Sequence, residues 1–250
     1  VPHSMHADDA ARAAHVWQGA VLSADDDIRT CALEGLEAIR DAHPALIEAR
    51  TVPHLLHHLP THIEAPPLRV RVILCALARL CTTPALFPLF SQRVWDTLEA
   101  MGACEADAAH VGYVCAMIVA LHVAMEEQVS AGDAHVRERA EDLAQRLVAY
   151  RRAPIAAHAH VAQHASDLLV LVGPHVSPEV ASALASGVYA APPWDAPCAA
   201  VMVGLPRAAS VPHASAWLHA VLAMPPSTLP QHWLLCALAN KWATPDSAAL

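Results

Sequence analysis

From Asp25 to Pro60 the chain reads DDDIRTCALEGLEAIRDAHPALIEARTVPHLLHHLP, two apolar stripes at helical spacing parted by a proline. Ile28, Cys31, Ala32, Leu36 and Ile39 recur at the i, i+3/i+4, i+7 positions that make one apolar face of a helix. Arg29, Glu34, Glu37 and Arg40 fall off that stripe, where water can solvate them. Asp25 to Asp27 supply an N-cap oxygen and first-turn carboxylates, which suit the orphan amides and the positive end of the dipole. His43-Pro44 ends the helix, because the proline ring disfavours helical geometry in the residue before it. A second stripe, Val52, Leu55, Leu56 and Leu59, has Pro53 near its start and Pro60 at its close. Neither helix can bury its face alone, so the pair predicts a helical repeat that is stable only beside further repeats.

The same grammar runs through the chain. Residues 8–22 predict a first helix with Val16, Trp17, Ala20 and Val21 inward, the tail of a preceding repeat. Residues 68–81 predict a helix with Val72, Cys75, Ala76, Arg79 and Leu80 in phase, then a turn at Thr82-Thr83-Pro84. The partner helix carries Leu86, Phe87, Phe90, Val94, Leu98 and Met101 and ends at Gly102. Residues 108–129, with Val111, Cys115, Ile118, Val119, His122 and Met125, are apolar around most of the circumference and predict neighbours on several sides. Residues 133–152 place Val136, Ala140, Leu143, Leu147 and Tyr150 on one stripe. A helix over 155–172 follows, and Ser177-Pro178-Glu179 opens another with a capping serine and a first-turn proline. Residues 190–197, AAPPWDAP, form a loop or kink before helices near 197–204, 212–223 and 228–242.

No β-alternation of any length is present, and with 20 prolines against 8 glycines the turns are made chiefly by proline. The expected class is all-α: an α-solenoid of HEAT- or armadillo-like antiparallel helix pairs, about eleven helices in repeats of roughly 35 to 45 residues. Residues 1–250 read as one segment of a longer chain, with 1–24 the tail of a preceding repeat, 25–152 the best-defined repeats and 153–250 more divergent ones.

Charge and composition narrow the function. Lys+Arg 15 against Asp+Glu 24, a formal net charge of −9, argues against direct nucleic-acid binding, which needs clustered cations. Every long apolar run is broken by Glu, His, Arg or Asp short of the roughly 18 residues of a membrane span. The opening VPHSMHADD has no initiator Met, basic region or apolar core of a signal peptide, so a cytoplasmic or nuclear parent is expected. The seven cysteines, Cys31, Cys75, Cys81, Cys104, Cys115, Cys198 and Cys236, contain no C-x-x-C pair and sit mostly on apolar stripes. They read as buried thiols of a reducing compartment.

The 18 histidines raise the question of metal. His54, His57 and His58 share one helical turn, and His160 and His164 stand at i, i+4, as a metal pair would. Neither cluster has an H-E-x-x-H motif or a carboxylate in phase as third ligand or base, so they read as solvated faces with no metal and no cofactor. Ser182 and Ser186 lie in an alanine-rich helix with no base in phase, and the glycines never cluster into a phosphate loop. No catalytic residue is assigned, and no small-molecule substrate is expected. The residues best suited to partner binding are Trp194, an aromatic in the proline loop, and the basic pair Arg151 and Arg152. Trp217, Trp233 and Trp242 read as core.

The succession H-P-A-L-I-E (43–48), T-V-P-H-L-L-H-H-L-P (51–60), A-L-A-R-L-C (76–81) and T-P-A-L-F (83–87), with an alanine-rich helix at Met117–Met125, resembles fungal members of the MMS nineteen family, also called Met eighteen. The likeness is best from Ile28 to Val148 and only architectural beyond. It implies a large HEAT-repeat adaptor of the cytosolic iron–sulfur cluster targeting complex. Such an adaptor joins the assembly factors to apo client enzymes of DNA repair, replication and transcription, without catalysis and without holding a cluster. The resemblance carries over no individual functional residue. A karyopherin-type nuclear transport receptor is the alternative scaffold. The HEAT-type di-iron hydroxylase would need paired His-Glu steps that this sequence lacks.

Overall fold

The computed structural model describes residues 6–59, 67–83, 85–102 and 107–189, with 201, 204–206, 209, 222 and 223. The described residues are helical throughout, with turns between and no strand among them. They belong to two compact units, one made of 1–101 and 108–133, the other of 102–107 and 134–250. The helices expected near 197–204, 212–223 and 228–242, and the 190–197 loop, lie largely or wholly outside the described residues.

The first unit opens with α1 (Ala7–Ala20) packed on α2 (Asp26–Ala42). Asp25 caps α2 as expected: its Oδ1 accepts from the Asp27 N–H at 2.9 Å and the Ile28 N–H at 3.2 Å. The buried stripes differ from expectation by a rotation. α2 buries Ala32, Leu33, Gly35, Leu36 and Ile39, while Cys31 is exposed and Ile28 is 49% exposed. Trp17 is the cause, because its ring lies on Gly35, where any Cβ would overlap it. That contact turns the 32–35–36–39 face inward and carries Ile28 and Cys31 toward solvent. On α1 the buried positions are Ala10 and Ala14, with Val21 just beyond the helix, and Val16 is 64% exposed.

His43, at φ −140° and ψ 64°, breaks the chain for one residue, and helix resumes at once at Pro44 in the N1 position. The second helix therefore starts earlier than the expected Val52. α3 (Pro44–Leu46), a π-helical turn (Ile47–Thr51) and α4 (Val52–His58) follow one another in right-handed helical backbone. Pro53 explains the widened turn: in a regular α-helix its ring would press on the carbonyl of Ala49, and a wider turn just before it relieves that clash. Leu55 and Leu59 are buried as the spacing implies, whereas Leu56 is half-buried.

α5 (Pro67–Leu80) packs on α2, on α4 and, along a long contact, on α7 (Ala108–Ala131). With neighbours on more than one side it buries Val70, Ile73, Leu74, Ala76, Leu77, Ala78 and Leu80. A single stripe was expected, and Cys75, assigned to it, is exposed, while Val72 and Arg79 are half-buried. The stripe of α6 (Leu86–Gly102) is buried in full, from Leu86 through Phe87, Phe90, Val94 and Leu98 to Met101, with Trp95 added. α7 buries ten residues on a broad front, from Val111 to Gln128, though Val119 remains 40% exposed. By length and composition α7 is long and apolar enough to cross a bilayer, although His110 and His122 interrupt its apolar run. Half of its 18-residue apolar window is buried by protein. α7 ends in a Schellman turn: Gly132 takes φ +67°, its N–H reaches Val129 O at 3.2 Å, and the Asp133 N–H reaches Gln128 O at 3.2 Å.

The second unit contains α8 (Val136–Tyr150), a 3₁₀ turn (Pro154–Ala157), α9 (Ala159–Val172), a second 3₁₀ turn (Gly173–His175) and α10 (Pro178–Tyr189). α8 buries the expected Val136, Ala140, Leu143, Leu147 and Tyr150 and packs on α9 and α10. Gly173 and Gly204 meet closely, and a Cβ on Gly173 would strike the Gly204 carbonyl.

Candidate interaction surface

Helices well separated in sequence, α2 with α5 and α8 with α10, lie against each other and are joined by polar side chains across 42 and 36 residues. In the first unit α2, α5 and α7 begin at Asp26, Pro67 and Ala108, 41 residues from each to the next, and α5 packs on both of the others. Glu37 on α2 receives a two-pronged bond from Arg79 on α5, Nε to Oε1 at 2.6 Å and Nη2 to Oε2 at 2.7 Å, across a separation of 42 residues. Arg40, one turn along, donates to the Arg79 carbonyl and to Thr82 Oγ1 at 3.2 Å, the latter again 42 residues away, and pairs with Asp41 at 2.9 Å. The Arg40 and Glu37 side chains keep only 17% and 21% of their exposure. Both were expected in water. The buried Cys81 thiol nearby is pushed up by desolvation, with the Arg40 cation acting in the opposite sense.

The second unit repeats the device. Glu141 on α8 accepts from the Ser177 N–H, at the start of α10, at 3.1 Å. Bonds from the Ser177 hydroxyl and N–H hold the Glu141 carboxyl below the usual glutamate range, with a smaller contribution from Arg137. The expected capping serine is therefore turned to α8. At the far end Arg151, just past α8, donates from Nη2 to the Gly187 carbonyl in α10 at 3.3 Å. Each bond spans 36 residues, so α8 and α10 run parallel, start beside start and end beside end.

Of the residues assigned to partner binding, Arg151 is half-buried and engaged in this tie, with its Nε buried, whereas the adjacent Arg152 is exposed. The structure thus separates the basic pair into one structural residue and one open to solvent. Trp194 lies outside the described residues, as do Trp217, Trp233 and Trp242. Cys31 and Cys75 are exposed and Cys115 half-buried, so among the described thiols only Cys81 is a core residue as expected.

The histidines stack with each other. His54 and His58 stand edge to face with ring centroids 4.6 Å apart, and His57 lies 5.8 Å from His58. His158 caps α9 by accepting from the His160 N–H, and their rings are 5.4 Å apart. No group of three or more His, Cys, Asp or Glu placed to hold a metal occurs among the described residues. Polar, mostly acidic side chains are exposed on two other helices: Gln92, Asp96 and Glu99 on α6, and Arg137, Glu138 and Asp142 on α8. Glu37, Arg40, Arg79 and Glu141 were missed by reading each helix alone. The available signal was an acid and a base separated by the length of a repeat, Glu37 and Arg79. No protein-family model matches the chain, and no curated protein sequence matches it.

Proposed function

We propose that this chain is a stretch of HEAT-like α-solenoid that acts as a non-catalytic adaptor, bringing apo iron–sulfur clients of DNA repair, replication and transcription to the cytosolic cluster-assembly machinery. The observation that carries the scaffold part is a matched pair of polar ties within each helix pair, 42 residues for Glu37–Arg79 and Arg40–Thr82 between α2 and α5 and 36 for Glu141–Ser177 and Arg151–Gly187 between α8 and α10, with the Arg40 bond to the Arg79 carbonyl at 39. In a solenoid each repeat touches its neighbours, and the same helix of successive repeats lies side by side and parallel. The partner class rests on the tandem order of motifs from His43 to Phe87, which resembles the MMS nineteen family. Such a protein works by surface. Helices fixed to their sequence neighbours hold rows of exposed side chains in place, and binding then costs little ordering.

The test is affinity purification of the full-length parent from its native cells, with cross-linking and mass spectrometry. The proposal expects cluster-delivery factors and apo iron–sulfur enzymes in stoichiometric amounts. Recovery of Ran-GTP and nuclear-pore proteins in their place would assign the scaffold to nuclear transport and end the adaptor reading.

A further inference from the structure

The tie between Glu141 and Ser177 has a chemistry that its partner tie at Arg151 lacks. Ser177-Pro178 is the one Ser-Pro step in the sequence, the dipeptide that proline-directed kinases accept. Ser177 is half-buried, Pro178 and Glu179 are exposed, and Val176, between the Gly173–His175 turn and Ser177, is extended at ψ 135°. We propose that Ser177 is a phosphorylation site, and that phosphate there unties α10 from α8.

The transfer is ordinary. The Ser177 Oγ attacks the γ-phosphorus of ATP, a new O–P bond forms, the bond to the β-phosphate oxygen breaks, ADP leaves, and the hydroxyl proton passes to the kinase's catalytic aspartate. The kinase acts on the transiently opened segment, because Val176 is buried when the tie is closed. Once formed, phosphoserine has no hydroxyl to give Glu141 and carries nearly two negative charges beside that carboxylate.

The competing effect is attraction of phosphate to the amides at the start of α10. Three features weigh against it. Pro178 occupies the first helical position and has no N–H to offer. Glu179 already sets a negative charge in the first turn. Glu141 lies within hydrogen-bonding distance of the Ser177 backbone. Arg137, one turn before Glu141 on α8, is the cation whose charge acts on that carboxylate, and a phosphate that recruits it draws it away from Glu141. Like charges within hydrogen-bonding range repel more strongly than the frayed end of a helix dipole attracts.

The test incubates the full 250-residue chain with ATP and a proline-directed serine/threonine kinase, beside Ser177→Ala and Glu141→Gln. Phosphate is mapped by mass spectrometry, and hydrogen exchange is followed across α8 and α10. Expected are phosphate at Ser177 as distinct from Thr83 or Thr244, its loss in Ser177→Ala, and exchange across α10 about tenfold faster after modification. In Glu141→Gln the phosphate still forms but speeds exchange less. No phosphate at Ser177 would overturn the proposal. So would phosphate there with α10 exchange unchanged or slowed, or an equal acceleration in wild type and Glu141→Gln.

Discussion

At the scale of single residues, two glycines and one ion pair make separable contributions to the stability of the first unit. Gly35 has no room for a side chain because Trp17 occupies the space, so Gly35→Ala displaces the indole and costs about 1–3 kcal/mol in a urea titration. Gly132 has open space around it but a φ of +67°, so Gly132→Ala costs about 1 kcal/mol through backbone strain alone. The two substitutions separate crowding from conformation: Trp17→Ala rescues the first and leaves the second untouched. The Glu37–Arg79 fork is two-pronged but partly open, with the Arg79 side chain 40% exposed. A double-mutant cycle to alanine is therefore expected to give a coupling of about 1 kcal/mol, well short of a fully buried pair. A coupling near zero would remove the fork from any account of how α2 is held to α5.

At the scale of elements, the Glu141 tie makes the seating of α10 depend on pH. The folded-state carboxyl titrates below the usual glutamate range, so its contribution is complete above the unfolded-state value and is lost as pH falls through the depressed folded value. Unfolding curves of wild type and Glu141→Gln are expected to converge as pH drops through that window and to differ by a constant amount above it. A difference that persists at the lowest pH would show that the carboxylate charge is not what holds Ser177. The same scale shows what was legible in the sequence. The α6 stripe, Leu86 to Met101, and the α8 stripe, Val136 to Tyr150, could be read directly, because each has one apolar face and polar residues elsewhere. The phase of α2 and α5 could not. Alanine and cysteine fit either side of a helix boundary, and the deciding partner, the Trp17 ring on Gly35, belongs to another helix. The helix starting at Pro44 was assigned too late because Pro53 read as a start signal, and its accommodation by a π-turn is not encoded in apolar spacing. Among the site residues, Arg152 could be read as open to solvent, but the engagement of Arg151 with Gly187 depends on which helix lies alongside.

At the scale of the whole molecule, the proposed solenoid rests on one arrangement seen in each unit taken by itself: α2 with α5, tied across 42 residues, and α8 with α10, tied across 36, lie side by side and point the same way. The proposed stacking of repeats accounts for polar ties at 42 and 36 residues that join side chains looking solvated when each helix is read alone. It also makes the α8–α10 pair the sharpest place to test it. Cysteines are introduced in pairs on this unit and bridged with a short bismaleimide spanning the about 8–10 Å between packed helices. Parallel packing predicts rapid bridging of Asp142→Cys with Glu179→Cys and of Arg152→Cys with Gly187→Cys. The crossed pairs, Asp142→Cys with Gly187→Cys and Arg152→Cys with Glu179→Cys, stand about 13 Å apart along the axis and stay unbridged. Bridging of the crossed pairs in preference to the straight ones would mean that α8 and α10 run in opposite directions, and the stacked-repeat account would be wrong.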